Sequence, residues 1–199
     1  MRVVTQADLF AAPLIDGLDY RPDFVTRDEE AALLAEVERM DLAPFRFHGW
    51  TGNRKTQSFG WRYDFDDASF APAEPIPGWL EPLCQGAAAW AGADIAHALI
   101  ARYDPGAGIG WHKDRSVFDR VVGVSLGSPA ILRFRRRTED GFLRINLPVE
   151  PRSAYRLSGE ARHEWEHRIV PGDQLRFSIT FRTMSDIGRG KAADAQRSS

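Results

Sequence analysis

The sequence predicts a mainly β domain with flanking helices, an α+β fold in which the helices pack outside the sheets. Helical spacing of apolar residues is confined to the first half of the chain, and alternation with a period of two begins near His97. No helical pattern separates the later strands. With 199 residues, 43% of them apolar, the chain has the length of one domain with a sizeable core.

Two helices are predicted in the N-terminal half. Thr26 and Glu29 have the spacing of a capping box, in which each side chain bonds to the other residue's backbone N–H. The helix that follows carries four apolar residues on one stripe: Leu33, Leu34, Val37 and Met40. A second helix is predicted over residues 78–90, where Pro82 must lie in the first turn because proline breaks a helix interior.

Strands are predicted at residues 122–126, 143–147 and 175–181, where apolar side chains alternate with polar or small ones. These segments have the pattern of an antiparallel sheet with one buried face. Short strands without intervening helices close most naturally into a sandwich or a jelly roll.

The domain is predicted to span residues 1–187, with the helices in residues 1–95 and the β core in residues 96–187. Residues 188–199 are small and polar and offer little to bury. We therefore expect this last segment to be disordered.

The overall charge excludes a protein that is held to nucleic acid by net charge alone. The formal net charge is -2 and the isoelectric point is near 6.2. A local basic patch is formed by five arginines: Arg133, Arg135, Arg136, Arg137 and Arg144. Their alternation with Leu132 and Phe134 describes the solvated face of an ordinary strand equally well, so both interpretations stay open.

The sequence also predicts a cytoplasmic protein. Cys84 is the only cysteine, which excludes an internal disulfide and favours a reducing compartment. No run of 18 apolar residues occurs, and residues 1–6 lack the apolar core of a signal peptide. We expect a monomer that has no membrane partner.

A histidine and a carboxylate in residues 111–114 are the strongest chemical signal. His112 and Asp114 are two apart, so in an extended strand they point to the same face. His167, which follows Asp114 by 53 residues, supplies a third donor in a segment that has the pattern of a strand. Two histidines and one carboxylate leave coordination positions open, as in non-haem Fe(II) oxygenases.

A rival motif shares one of these histidines. His163-Glu164-Trp165-Glu166-His167 has the spacing of a zinc peptidase helix, in which Glu164 would be the base. No Glu or His follows within residues 168–199 to complete the zinc site, and Gly159 and Pro171 leave little room for a helix. We take His163, like His48 and His97, as a surface or structurally satisfied histidine.

Four motifs in chain order resemble the AlkB family of Fe(II)/2-oxoglutarate dioxygenases. They are residues 101–106 leading into 111–114, residues 122–130, residues 158–167 and residues 176–182. The resemblance covers about residues 95–185, and a weaker one extends over residues 54–63, the family's substrate-facing segment. It implies a double-stranded β-helix, or jelly-roll, core.

The resemblance also implies how the cofactors are held. Iron would be bound by His112, Asp114 and His167, and 2-oxoglutarate would chelate it through its keto and adjacent carboxylate oxygens. The far carboxylate needs a cation, and a guanidinium fork provides charge-assisted hydrogen bonds. The residues that the family pattern assigns to 2-oxoglutarate are Tyr103, Arg176, Ser178 and Arg182.

Arg182 is the weaker of the two arginine candidates, because six residues of straight strand span about 20 Å, more than the cosubstrate. The chain also departs from the family pattern at three positions. Ala101 and Ser178 stand where asparagine is common, and Ser116 replaces an acidic residue that reads the damaged base.

The implied function is hydroxylation or oxidative demethylation of an alkylated base in DNA or RNA, with O2 consumed and succinate, CO2 and formaldehyde released. The candidate substrate-binding residues are Trp61, Tyr63, Trp111, Ser116, Arg133 and Arg135. Aromatic rings would stack on a base that has left the helix, and arginines would bind phosphates. The main alternative is a protein or small-molecule hydroxylase with the same chemistry.

Overall fold

Two β-sheets face each other in the computed structural model, which describes residues 2–3, 15–47, 50–63 and 69–197. The larger sheet has the strand order β2-β11-β8-β13-β6-β4-β3, with β5 paired to β4. These strands are β2 Leu18–Arg21, β3 Ala43–Phe47, β4 Trp50–Tyr63, β5 Phe70–Pro72, β6 Ile95–Tyr103, β8 Phe118–Leu126, β11 Ala154–Leu157 and β13 Arg176–Met184.

The smaller sheet has the order β1-β10-β9-β12-β7. Its strands are β1 Arg2–Val3, β7 Ile109–His112, β9 Ala130–Thr138, β10 Gly141–Val149 and β12 Glu166–Ile169. All its pairings are antiparallel except that of β1 with β10. The two sheets form the jelly roll that the sequence predicted. The three predicted strands coincide with parts of β8, β10 and β13, except that Leu175 precedes β13.

The larger sheet separates two apolar layers because alternate side chains of its strands point to opposite faces. Ala98 and Ile100 of β6 pack with the helices, whereas Ala101 and Tyr103 point into the space between the sheets. Leu132 of β9 and other interior residues of the smaller sheet fill that space. The polar residues described below therefore enter an otherwise apolar interior.

The two predicted helices are present and cover the outer face of the larger sheet. Helix α1, Arg27–Glu38, begins with the predicted capping box: Glu29 N donates to Thr26 Oγ1 at 3.2 Å and Thr26 N donates to Glu29 Oε2 at 2.7 Å. A 3₁₀ turn, Gly78–Leu80, leads into helix α2, Glu81–Ala91, with proline in its first turn. None of the described helices combines the length and apolarity needed to cross a bilayer.

The sequence predicted disorder for residues 188–199, whereas the part of this segment that the structure describes is helical. Helix α4, Asp186–Arg197, follows Ser185, whose Oγ accepts a hydrogen bond from Gly188 N at 3.1 Å. Ala192 is 8% exposed and packs in a small apolar cluster with Phe70, Val117 and Phe118. One capping hydroxyl and one buried methyl group therefore order a segment whose composition suggested a free tail.

Gly123 of β8 has no room for a side chain. It is paired with Tyr155 of β11, and a Cβ at residue 123 would lie 2.3 Å from the ring of that tyrosine. We expect Gly123→Ala to lower the free energy of unfolding by about 1–3 kcal/mol, because an overpacked core must shift its backbone. Urea unfolding measures this. Gly78→Ala, where nothing lies within 4 Å, is the matched control, and equal unfolding midpoints for the two variants would contradict the expectation.

Candidate metal and cosubstrate site

Two histidines lie side by side on neighbouring strands of the smaller sheet. His112 of β7 is paired in register with His167 of β12, and their ring centroids are 4.3 Å apart. His167 is also paired with Phe134, a fully buried residue of β9. Because residues in register share a face, both imidazoles point into the jelly-roll interior.

The carboxylate of Asp114 joins them from the segment that follows β7. Its Oδ2 lies 3.6 Å from His167 Nε2, and the Asp114 side chain is 6% exposed. Two donor atoms at this separation can bind one ion, since each metal–ligand bond is about 2 Å long. Asp114 Oδ2 is buried and has no hydrogen-bond partner among the described residues. A buried, unpaired carboxylate oxygen beside two imidazoles fits a cation.

The protonation states also suit metal binding. His112 Nδ1 lies 2.9 Å from Gly110 O, so Nδ1 carries the proton. The unprotonated Nε2 can then bind a metal. Burial lowers the pKa of His112 and, with the neighbouring His112 ring, lowers that of His167 to about 3. Burial alone would raise the pKa of Asp114, but Arg182 and the two histidines outweigh it and hold this pKa below its usual range. At neutral pH both histidines are therefore uncharged and Asp114 is ionised, which are the states in which these groups bind metals.

Arg182 of β13 donates to the other carboxylate oxygen of Asp114, Oδ1. Its Nη2 and Nε lie 2.6 and 2.8 Å from Asp114 Oδ1, and its Nη1 lies 3.1 Å from Nδ1 of the buried His97. In the described part of the chain, no three His, Cys, Asp or Glu side chains are close enough as they stand to hold a metal ion. The three donors are neighbours, with one carboxylate oxygen taken by an arginine and the other facing the histidines.

A second polar group lies deeper, where β13 and β6 pair. Arg176 is in register with Tyr103, is 4% exposed, and has its guanidinium carbon 4.9 Å from the Tyr103 ring centre. Its Nε and Nη2 contact Ser125 Oγ at 3.3 and 3.2 Å, whereas its Nη1 is buried with no partner among the described residues. A cavity of about 80 Å³ is lined by both Tyr103 and Arg176. The unpaired guanidinium nitrogen fits a carboxylate there.

Arg54 is a functional candidate that the sequence did not single out. Lys55 of β4 pairs with Arg102 of β6, which brings Arg54 beside Tyr103 on the same edge. Burial raises the pKa of Tyr103, but Arg54, then Arg176 and a hydrogen bond from Ser178, outweigh it and lower this pKa. The tyrosine hydroxyl is thus influenced by two guanidinium groups, those of Arg54 and Arg176. Only the register of β4 on β6 reveals this, and no local sequence pattern specifies it.

Three of the predicted substrate residues point away from the metal-binding candidates. Trp111, Arg133 and Arg135 alternate in sequence with inward-facing residues, so they lie on the outer face of the smaller sheet. If they bind substrate, they do so outside the interior. Ser116 is exposed in the segment after Asp114, and its carbonyl oxygen accepts from Ser185 Oγ at 2.6 Å.

Trp61 and Tyr63, the other two substrate candidates, lie next to that segment. The Trp61 ring stacks on Phe70 with centroids 5.1 Å apart, and the guanidinium of Arg115 lies 4.9 Å from the Tyr63 ring centre. Both aromatic rings are partly exposed. They are therefore placed to contact a substrate that approaches from the side of Asp114.

The zinc peptidase hypothesis is wrong, because its two histidines belong to different elements. Helix α3, Gly159–His163, ends at His163, whereas His167 lies in β12. The His163 side chain is 56% exposed and lies 3.4 Å from Asp119, and Glu164 pairs with Arg136 at 3.2 Å. The expectation that His163 and His97 are surface or satisfied histidines agrees with this structure; His48 lies outside the described residues.

A family model of the 2OG-Fe(II) oxygenase superfamily matches residues 17–182. The chain belongs to this superfamily. Mus musculus tRNA (carboxymethyluridine(34)-5-O)-methyltransferase ALKBH8 is 29% identical to this oxygenase over 186 residues, which cover 86% of the chain and 28% of the mouse protein. Escherichia coli (strain K12) alpha-ketoglutarate-dependent dioxygenase AlkB is 38% identical over 109 residues, 51% of the chain and 46% of AlkB.

A solved structure has the same fold as the oxygenase. OsALKBH1 has a TM-score of 0.64 and 14% identity, and the match covers 84% of this chain and 96% of that one. The oxygenase is AlkB-like, and its class uses Fe(II), 2-oxoglutarate and O2. It spans only part of its curated relatives: 28% of the mouse protein and 51% of the Arabidopsis thaliana alkylated DNA repair protein ALKBH8 homolog.

Proposed function

We propose that this oxygenase hydroxylates or oxidatively demethylates an alkylated base in DNA or RNA, and releases succinate, CO2 and, on demethylation, formaldehyde. The observation that carries the proposal is the grouping of His112, Asp114 and His167 inside the jelly roll. The names of two relatives support a nucleic acid substrate: the mouse protein is named for tRNA and the Arabidopsis thaliana protein for repair of alkylated DNA.

His112 Nε2, His167 Nε2 and Asp114 Oδ2 would hold Fe(II). When bound, iron and 2-oxoglutarate together activate O2 for insertion of one oxygen into a C–H bond. Arg182 holds the other Asp114 oxygen, so the carboxylate is oriented with its unpaired oxygen toward the histidines. Removal of a residue that orients a metal ligand in this way typically lowers metal affinity or activity by about 10–100-fold.

Arg176 would bind the far carboxylate of 2-oxoglutarate through its unpaired Nη1, with the Tyr103 hydroxyl as a second donor. Ser125 holds the other edge of the guanidinium, which keeps the fork in one orientation. Trp61 and Tyr63 would contact the extruded base, since partly exposed rings can stack on any base. A hydroxylated N-methyl group then decomposes to formaldehyde and the unmodified nitrogen.

The test offers methylated single-stranded DNA, methylated RNA and transfer RNA to the full chain with Fe(II) and 2-oxoglutarate. We expect succinate together with formaldehyde, or with the gain of one oxygen atom in the nucleic acid by mass spectrometry. Omission of Fe(II) or 2-oxoglutarate should abolish all products. Succinate formation without any change in the nucleic acids would reject this substrate class and favour a protein or small-molecule hydroxylase. A cytoplasmic location and a monomeric state stay predictions from the sequence.

A further inference from the structure

The outer face of the smaller sheet carries a concentration of arginines that the catalytic interior does not use. Residues on this face alternate along each strand with the inward-facing Phe134 and His167. The register of the strands places them next to one another across the sheet. We name this surface the arginine face; it consists of Arg133, Arg135 and Arg137 of β9, Phe142 and Arg144 of β10, Arg168 of β12 and Trp111 of β7.

Most of this positive charge is not neutralised by the protein. Only Arg135 has a carboxylate partner within the described residues, Glu166, at 2.6 Å. The Nε atoms of Arg133 and Arg168 are buried without a hydrogen-bond partner in the same part of the chain. The chain as a whole has a net charge of -2. A cluster of unpaired arginines on such a chain is a local electrostatic feature that favours an anion.

Two aromatic rings are interleaved with the guanidinium groups. Arg135 lies 4.5 Å from the Trp111 ring centre and 4.7 Å from that of Phe142, and Arg168 lies 5.1 Å from Trp111. Arg144 lies 5.3 Å from the Phe142 ring centre. These cation–π contacts hold long side chains close to the sheet, so less side-chain entropy is lost when an anion binds.

We propose that the arginine face binds the sugar-phosphate backbone of a single-stranded nucleic acid outside the catalytic interior. Guanidinium forks match phosphate oxygens, and the guanidinium planes that lie over the two rings offer flat cationic surfaces on which bases can stack. Four strands at spacings of about 4.8 Å make the face about 15 Å wide, enough for several consecutive phosphates. An acidic protein would satisfy the charge but has no bases to stack on these planes.

The position of the face links it to the reaction. Trp111 lies on the outer side of β7 and His112 on its inner side, and β7 is the edge strand of the sheet. A nucleic acid held on the arginine face can therefore turn over this edge toward Asp114. The inference rests on the proposed function only in the choice of nucleic acid, because binding to the face needs neither iron nor turnover.

The test measures binding of a labelled single-stranded oligouridine to the full chain by fluorescence anisotropy over a range of salt concentrations. The variant combines Arg137→Gln and Arg144→Gln, both at exposed positions. We expect the Kd to rise about tenfold. The slope of log K against log salt should become shallower by about 1.4, which corresponds to two lost phosphate contacts. The matched control combines Arg39→Gln and Arg197→Gln, which are 70% and 71% exposed and lie elsewhere.

Several outcomes would overturn the inference. These are failure of the wild-type chain to bind the oligonucleotide, equal Kd values for the variant and the control, or equally tight binding of labelled polyglutamate. Succinate formation without nucleic acid should be unchanged in the variant, since neither arginine contacts the site. If the variant loses binding but no nucleic acid is ever modified, the proposed function fails while the binding surface stands.

Discussion

Replacement of Asp114 by alanine is expected to reduce Fe(II)- and 2-oxoglutarate-dependent succinate formation at least about 100-fold. Asp114 is the only carboxylate beside the two paired histidines in the described structure, and its Oδ2 faces His167 at 3.6 Å. Loss of a metal ligand should cost at least as much as loss of the groups that orient ligands, which is about 10–100-fold. The measurement is succinate released per enzyme, together with Fe(II) bound after gel filtration under anaerobic conditions.

Glu164→Gln is the matched control for this experiment. It removes a carboxylate that is 58% exposed and pairs with Arg136, so it should leave succinate formation intact. If the Asp114 variant kept its activity, or if the two variants lost it equally, the assignment of Asp114 to the metal would fail.

Asp114→Ala should also destabilise the fold, which has to be separated from its effect on iron. The change leaves Arg182, whose side chain is 11% exposed, as a buried charge without its carboxylate. Such a break typically costs about 3–5 kcal/mol. Adding Arg182→Met to the Asp114 variant should therefore recover much of the free energy of unfolding in urea. It should not recover succinate formation, since the ligand is still missing.

Replacement of Arg176 by lysine is expected to raise the KM for 2-oxoglutarate about 10- to 150-fold with a smaller change in kcat. Hydrogen bonds to charged groups contribute about 1.5–3 kcal/mol, and each 1.36 kcal/mol corresponds to a factor of ten. Lysine keeps the positive charge but lacks the planar guanidinium group of Arg176. Ser125 fixes that group by contacting its Nε and Nη2. Because Arg176 would bind the end of the cosubstrate that does not react, binding should suffer more than the chemical step.

Arg102→Lys provides the comparison for Arg176. Arg102 precedes Tyr103 on the same strand, but its side chain is 36% exposed and pairs with Asp104 at 2.8 Å. Its KM for 2-oxoglutarate should stay close to that of the wild type. If Arg176→Lys left the KM unchanged too, the far carboxylate would have to bind elsewhere, and Arg54 would be the next residue to replace.

The parts of the structure that short sequence patterns specify could be predicted. The Thr26–Glu29 capping box needs only four residues. The strand that contains His167 is followed in the sequence by the turn residues Pro171 and Gly172. The grouping of His112 with Asp114 follows from the two-residue period of an extended chain. These features depend on local backbone geometry, which the sequence carries directly.

Features that depend on strand register could not be predicted. Arg54 comes beside Tyr103 only because β4 pairs with β6 at one particular offset. The contact of Arg182 with Asp114 depends on where β13 passes the end of β7. It brings Arg182 to the candidate site although six residues separate it from Arg176 along the strand. The same sheet pairing places Arg133 outside rather than inside. Such offsets are set by the packing of the whole core.

Strand β7 has four residues and is paired on one side only, to β12. A slip of this short strand by one residue would turn the indole of Trp111 inward and the imidazole of His112 outward, without any change in amino-acid composition. An ion bound to both His112 and His167 would oppose that slip. The metal would then also have a structural effect: it would stabilise the one register of β7 on β12 in which its own binding site exists.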